Sequence, residues 1–481
     1  VLARRPWLIP LLAWGVLAAP LALVDHYSLR TTAFDLSVFD YALWSALHGR
    51  LGDVPFLGHS LFSHHFMPTL LLLVPVYALF PSSTLLILLQ LGLAAAEALL
   101  LVRLAEGRLP AAVIAGLVAA FLFARPSYNA IMAAFYVESL IPLLIFLMLL
   151  AWRRGWWRAY WLAMLLALGC KEDVSVYVGG FGLLLACRHE HRRLGLLTAA
   201  VAAGWLAFAV GVAIPASQAH DGLPTTNPFL ATRYADAGGE DAAQAVSDRL
   251  LSWRPLVKLF NVVASVALLP LLAPEYLAVA LPGIVLNLSV ARQFHQSALL
   301  GHYLWPILPW LFVAAIEGAR RLIGRFPRAS APVAVLLFAV ALGDTPLWLE
   351  LAHRPWRDLA EGAVARRQLA VVPPDSVVLA QPNLIPHLPH RFGLVALGKE
   401  VPGPEPQHVL LSRVGNPWPL DASAVDHRIA QYRADPRFER VVDGPTYVFR
   451  RRTAAPDTLE RDERRRRRRA LRGSPVVDPA R

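Results

Sequence analysis

Leu85-Leu86-Ile87-Leu88-Leu89-Gln90-Leu91-Gly92-Leu93-Ala94-Ala95-Ala96-Glu97-Ala98-Leu99-Leu100-Leu101-Val102 is a predominantly apolar run that decides the fold class. Coiled at 1.5 Å per residue, it reaches about 27 Å, close to the roughly 30 Å of hydrocarbon in a bilayer. Leu8 to Val24 and Leu194 to Ile214 are runs of the same kind. The composition agrees: 56% of the 481 residues are hydrophobic and 17% charged, with a mean hydropathy of +0.47. Such a chain is excluded from the ordinary soluble class and reads as an integral membrane protein. Its spans must be helices, because lipid offers backbone groups no partner and barrel strands would alternate in polarity.

The first run follows Arg4-Arg5 and ends near Ala18-Ala19-Pro20, which resembles a cleavage site; an uncleaved signal anchor is the favoured reading because further spans follow. Arginines gather at Arg4-Arg5, Arg103 with Arg108, Arg153-Arg154 with Arg158, Arg188 with Arg192-Arg193, and Arg320-Arg321 with Arg325 and Arg328. By the positive-inside rule these segments are cytoplasmic. Crossings are then expected near 7–24, 83–102, 110–124, 139–152, 157–170, 174–187, 194–214, 256–272, 275–291, 303–316 and 331–347, about eleven in all. Pro68 to Phe80 is too short to span and reads as re-entrant or surface-lying. The N-terminus is placed inside and the C-terminal region outside. Two cysteines, Cys170 and Cys187, cannot form a disulfide framework.

This map divides the chain into a polytopic transmembrane domain over 1–350, with a first outer loop at 25–66 and a long outer loop at 215–253, and a soluble region at 355–451. In the latter, helical Leu359 to Leu369 precedes strand-like runs at Val377 to Ala380, Phe392 to Leu397, Val409 to Ser412 and Tyr447 to Arg450, the pattern of a small α/β domain. The long loop ends in a stretch, Asp236 to Arg249, suited to a short helix. The remainder, 452–481, is a disordered tail in which Arg464 to Arg469 are unbroken and which supplies much of the net charge of +12. Attraction to anionic lipid headgroups is its first reading, ahead of nucleic acid or a merely solvated tail.

The map also collects the unusual polar residues at one membrane face: Asp35, Asp40, His59, His64, His65, Tyr136, Glu138, Lys171, Glu172, Asp173, Arg292, His295 and His302. Asp35 and Asp40 lie roughly 140° apart on a helix, so one is able to act as a base while the other caps or is solvated. Lys171-Glu172-Asp173 is either a tight hydrated turn or a functional charge cluster. His64, His65 and Glu138 are donors of a type that suits zinc or manganese, although their spacing fits no metal motif. His302-Tyr303 with Trp305-Pro306 fits an interfacial aromatic belt as well as a binding site.

Phe34-Asp35-Leu36-Ser37-Val38-Phe39-Asp40 with Trp44 and Gly49, then His65-Phe66-Met67-Pro68, resembles the opening of the bacterial membrane family DUF2079. Phe135-Tyr136-Val137-Glu138, Cys170-Lys171-Glu172-Asp173, and Pro374-Asp375-Ser376-Val377-Val378-Leu379-Ala380-Gln381 with His387-Leu388 and Arg391 are similar to it as well. Tyr136 departs from it, standing where the pattern has histidine. The family in turn resembles GT-C glycosyltransferases, which implies a sugar donor carried on polyprenyl phosphate, an envelope glycan, lipid or protein as acceptor, and catalysis at the outer face of the bacterial inner membrane. On that resemblance Asp35, then Asp40, is the expected general base. Lys171, Arg292 or a divalent metal is expected to stabilise the leaving phosphate. The outer α/β region is expected to help hold the acceptor. Competing classes are a transporter or flippase, in which these charges relay ions, and a non-catalytic envelope scaffold.

Overall fold

The computed structural model describes residues 5–224, 242–290, 299, 301–398 and 405–452. Among them, four helical stretches are long and apolar enough to cross a bilayer: Leu8–Tyr27, Ser83–Ala105, His189–His220 and Pro327–Val371. Ala111–Phe123 and Arg125–Ile131, bent by 57° across Ala124, meet the same test only when taken together. Six of the expected crossings are instead the shorter helices Leu140–Arg154, Trp157–Leu168, Val174–Ala186, Arg254–Ala264, Pro274–Ser289 and Leu308–Arg325. At 11 to 18 residues they extend only about 16 to 27 Å, so length alone does not make each of them a crossing. Pro68–Tyr77 is a short apolar helical segment, in keeping with a non-spanning element.

Local chemistry sets several ends. Ser82 caps the second long helix, its Oγ accepting from the Leu85 N–H at 3.3 Å. Gly155, in the left-handed conformation, stops the helix after Arg154. The helices Val174–Ala186 and Arg192–Phe208 approach so closely that a Cβ on Gly182 would sit 2.6 Å from the Ala199 nitrogen. Small residues at this contact let backbones touch where lipid supplies no hydrophobic drive for association.

The bundle has two chemically distinct ends. At one, Arg108 and Arg320 pair with Glu317, Arg321 pairs with Glu275, and Arg153 donates to the Leu104 carbonyl at 2.9 Å. The helices Ser83–Ala105, Leu140–Arg154 and Leu308–Arg325 run from there to the other end, where the acids and histidines lie. Positive-inside reasoning grouped these arginines from sequence, and the fold brings them together.

The first loop carries a two-residue hairpin, β1 (Asp53–Val54) with β2 (His59–Ser60). Beyond the membrane helices, β3 (Val378–Ala380), β4 (Leu394–Ala396), β5 (His408–Ser412), β6 (Phe438–Val442) and β7 (Thr446–Arg451) form a mixed sheet of order β4-β3-β5-β7-β6. The pairs β3–β4 and β3–β5 are parallel, and β7 is antiparallel to both its neighbours. Alternation decides its packing. Leu379, Val409, Leu411 and Phe449 meet Val425 and Ile429 of the helix Ala422–Ala434, while Val378, Ala380, Leu410 and Val448 join the core of the main bundle. The sheet is therefore continuous with the membrane-embedded core on one face. Of the long loop, the first part is a helical continuation to His220, and Ala242–Leu251 is the short helix near its end.

Candidate functional site

Asp35 occupies a π-helical turn, Ala33–Ser37, that leads directly into the helix Val38–Leu47. Such turns widen the helix locally and are frequent at functional positions. The side chain of Asp35 and the whole of Arg292 lie outside the described structure.

Asp40 follows one turn later and is 2% exposed. Its Oδ1 accepts from the Tyr77 hydroxyl, its Oδ2 accepts from Ser83 Oγ at 2.6 Å, and His390 Nε2 lies 3.1 Å from Oδ2. The same nitrogen is 3.2 Å from the Tyr77 oxygen. Four segments thus meet on one buried carboxylate: the first loop, the end of Pro68–Tyr77, the start of Ser83–Ala105 and the loop between β3 and β4. Neighbouring Tyr41 is fully buried, and burial, then the Asp40 charge, pushes its phenol well above the ordinary value.

A second cluster adjoins the first through Phe39, whose ring meets Phe135 at 5.7 Å and Tyr136 at 5.4 Å. Lys171 Nζ lies 3.3 Å from Glu138 Oε1 and 3.7 Å from Asp173 Oδ2. Glu172 takes the other direction, its Oε1 2.8 Å from His65 Nδ1 and its Oε2 accepting from the Phe66 N–H at 3.2 Å. The turn at 169–173 is pinned further by the Thr69 N–H, which donates to the Gly169 carbonyl at 3.0 Å. Burial works against the Lys171 charge, but Asp173, Glu138 and Glu172 more than offset it and raise its pKa. Burial likewise opposes ionisation of Glu172, yet His65 and Lys171 bring its carboxyl down to about 2. Asp173 moves the other way, burial and the Glu172 charge outweighing Lys171. Glu138 Oε2 and Asp173 Oδ1 are buried and accept no hydrogen bond from the described residues.

His64 stacks on His59, with centroids 4.4 Å apart. Tyr136, the position departing from the family pattern, stacks on His302 at 4.0 Å, so an aromatic pair occupies that place. Among the described residues no group of three or more His, Cys, Asp or Glu side chains is disposed to hold a metal ion. Sequence reasoning did not single out His390, Tyr77 or Ser83. The first of these follows a parallel strand, and no local signal marks its partner 350 residues away.

Residues 25–437 match the family described as Predicted membrane protein (DUF2079). The chain belongs to that family. No curated protein is similar enough in sequence to match this DUF2079 member. In fold it is similar to the crystal structure of ArnT from Cupriavidus metallidurans in the apo state, with a TM-score of 0.53 and 15% identity, over 93% of this chain and 98% of that one. ArnT is a GT-C glycosyltransferase, and at this identity the likeness establishes a shared fold.

Proposed function

We propose that this DUF2079 protein is a membrane glycosyltransferase that moves a sugar from a polyprenyl-phosphate carrier to an acceptor hydroxyl of an envelope glycan, lipid or protein. The observation that carries the reading is the ArnT-like fold, which accounts for nearly the full length of both chains. The end of the bundle bearing the acids and histidines is the reaction side. It is assigned to the outer face of the bacterial inner membrane because the arginines Arg108, Arg153, Arg320 and Arg321 gather at the opposite end. The N-terminus is then cytoplasmic and the sheet extracytoplasmic.

In the proposed reaction the acceptor oxygen attacks the anomeric carbon as the bond from that carbon to the carrier's phosphate oxygen breaks. The hydroxyl proton passes to Asp35, and the electron pair of the broken bond leaves on the phosphate. Lys171, held charged by its acidic neighbours, is the cation assigned to the developing phosphate charge, with His65, Glu138, Glu172 and Asp173 fixing its place. Arg292 and His302 are assigned to binding the substrates. A single displacement with one base inverts the anomeric centre, by analogy with inverting glycosidases.

The test is transfer of radiolabelled sugar from a panel of polyprenyl-phosphate sugars in proteoliposomes. Asp35→Asn is expected to lower transfer by about 10²-fold or more while leaving the melting temperature unchanged, the contribution typical of a general base. Transfer that persists in folded Asp35→Asn removes Asp35 from this role. Absence of transfer with every donor from folded wild-type protein sinks the glycosyltransferase reading.

A further inference from the structure

In parallel α/β sheets the crevice beyond the carboxyl ends of the strands is where ligands ordinarily bind. In this protein the corresponding loops follow the parallel strands β3 and β5, and both are occupied by the chain's own first loop. From the loop after β3, the Pro382 carbonyl accepts from the Ala33 N–H at 3.0 Å, at the start of the Asp35 turn. His390 lies at the far end of that loop, on Asp40. Its ring also stacks on Trp44, with centroids 5.4 Å apart and planes within 11°. From the loop after β5, the Asn416 N–H donates to the Leu29 carbonyl at 2.9 Å and its Nδ2 to the Arg30 carbonyl at 3.4 Å. Trp418 sets its ring edge-on to Phe34 at 5.4 Å. Gly415, at φ +83°, sits so close to the Leu29 carbonyl that no Cβ fits between them.

Contacts therefore bracket the Asp35 turn on both sides, at 29–34 and at 40–44. We propose that the C-terminal sheet is a clamp that holds the Asp35 loop in its working shape, with His390 as a positioning residue acting through Asp40. The carboxyl-end crevice is filled by the first loop, so the acceptor is held elsewhere than on this edge of the sheet. This role rests on the proposed function only for its catalytic consequence; the holding of the loop is independent of what the loop does.

Two substitutions of His390 separate the hydrogen bond from the ring. His390→Phe keeps an aromatic ring against Trp44 and removes the nitrogen at Asp40, whereas His390→Gln restores an N–H there and removes the ring. Hydrogen exchange on the full-length protein in lipid nanodiscs reads the backbone of residues 33–44, with residues 378–380 and 408–412 as the control for an intact sheet. The Phe variant is expected to exchange about tenfold faster at 33–44, the factor accompanying loss of one charge-assisted hydrogen bond, with the sheet unchanged. The Gln variant is expected to return to the wild-type rate. In the transfer assay kcat falls in the Phe variant and recovers in the Gln variant, with KM for the donor unchanged.

Wild-type exchange at 33–44 in the Phe variant overturns the proposal, as does Gln exchanging as fast as Phe. Should the Phe variant lose protection in the sheet as well, Asn416→Ala takes its place: removing the amide that donates to Arg30 must speed exchange at 29–35, and failure to do so counts against the clamp. A wild-type protein that transfers no sugar while these exchange differences hold refutes the proposed reaction and leaves the clamp standing.

Discussion

Replacing Asp40 by alanine tests most directly how the first loop is held. The carboxylate is 2% exposed and serves Tyr77, Ser83 and His390, the first two themselves 1% and 2% exposed. Hydrogen bonds to a charged group contribute about 1.5–3 kcal/mol each, against which stands the cost of keeping the charge out of water. Removing the acceptor also strands the buried Ser83 hydroxyl, at about 1–3 kcal/mol where no water reaches it, whereas the Tyr77 hydroxyl keeps His390 Nε2 at 3.2 Å. Part of this is recovered as the buried charge disappears, so the net loss is expected near 3–5 kcal/mol, the range for breaking one side of a buried charged pair. Asp40→Asn keeps one acceptor and should cost about half as much. The assay is equilibrium unfolding of purified protein in mixed micelles, with transfer measured alongside. A loss below about 1 kcal/mol for Asp40→Ala would mean that the network contributes little to the fold. Full stability together with abolished transfer in Asp40→Asn would return Asp40 to the role of base.

Two further outcomes follow from the other buried groups. Lys171→Met leaves Glu138 and Asp173 without their shared cation and should destabilise the protein by about 3–5 kcal/mol; adding Glu138→Gln should recover part of it, and strict additivity of the two in unfolding measurements would show that they do not interact. His387 is held below its ordinary pKa of 6.5 by burial, then by His26, whose ring lies 4.4 Å away, and by Arg366. The unfolded chain takes up that proton first, so stability is full above pH 6.5 and falls as the pH drops below it, at up to about 1.4 kcal/mol per pH unit. Melting temperatures between pH 7.5 and 5 should therefore show a shallower slope in His387→Phe than in wild type, and identical slopes would contradict the assignment.

Much of the fold was legible because its signals are local. An apolar run such as Leu85 to Val102 must be helical in lipid whatever surrounds it, and the strand-like runs at Val377 to Ala380, Val409 to Ser412 and Tyr447 to Arg450 coincide within a residue or two with β3, β5 and β7. The strand Phe438–Val442 and the helix Ala422–Ala434 escaped notice, since Glu439 and Arg440 and a largely polar helix face hide the apolar period. Hydropathy registers apolarity and not how a helix ends or bends; the 57° break before Arg125 and the 12-residue extent of Trp157–Leu168 are outcomes of packing.

The sequence by itself determined that the chain lives in a membrane, and it set Arg108, Arg153, Arg320 and Arg321 apart from acids and histidines such as Asp40, His65, Glu138 and Glu172. Only the tertiary structure decided their partners. Glu138 and Lys171 stand at the two open ends of one helical hairpin, Leu140–Arg154 with Trp157–Leu168, and meet only because those helices fold back on each other, while Asp40 meets His390 across 350 residues of chain. The composition of a segment fixes whether it is buried in lipid, because that depends on its own side chains. Which donor reaches a buried carboxylate depends on where every intervening helix and strand packs, and no stretch of sequence carries that alone.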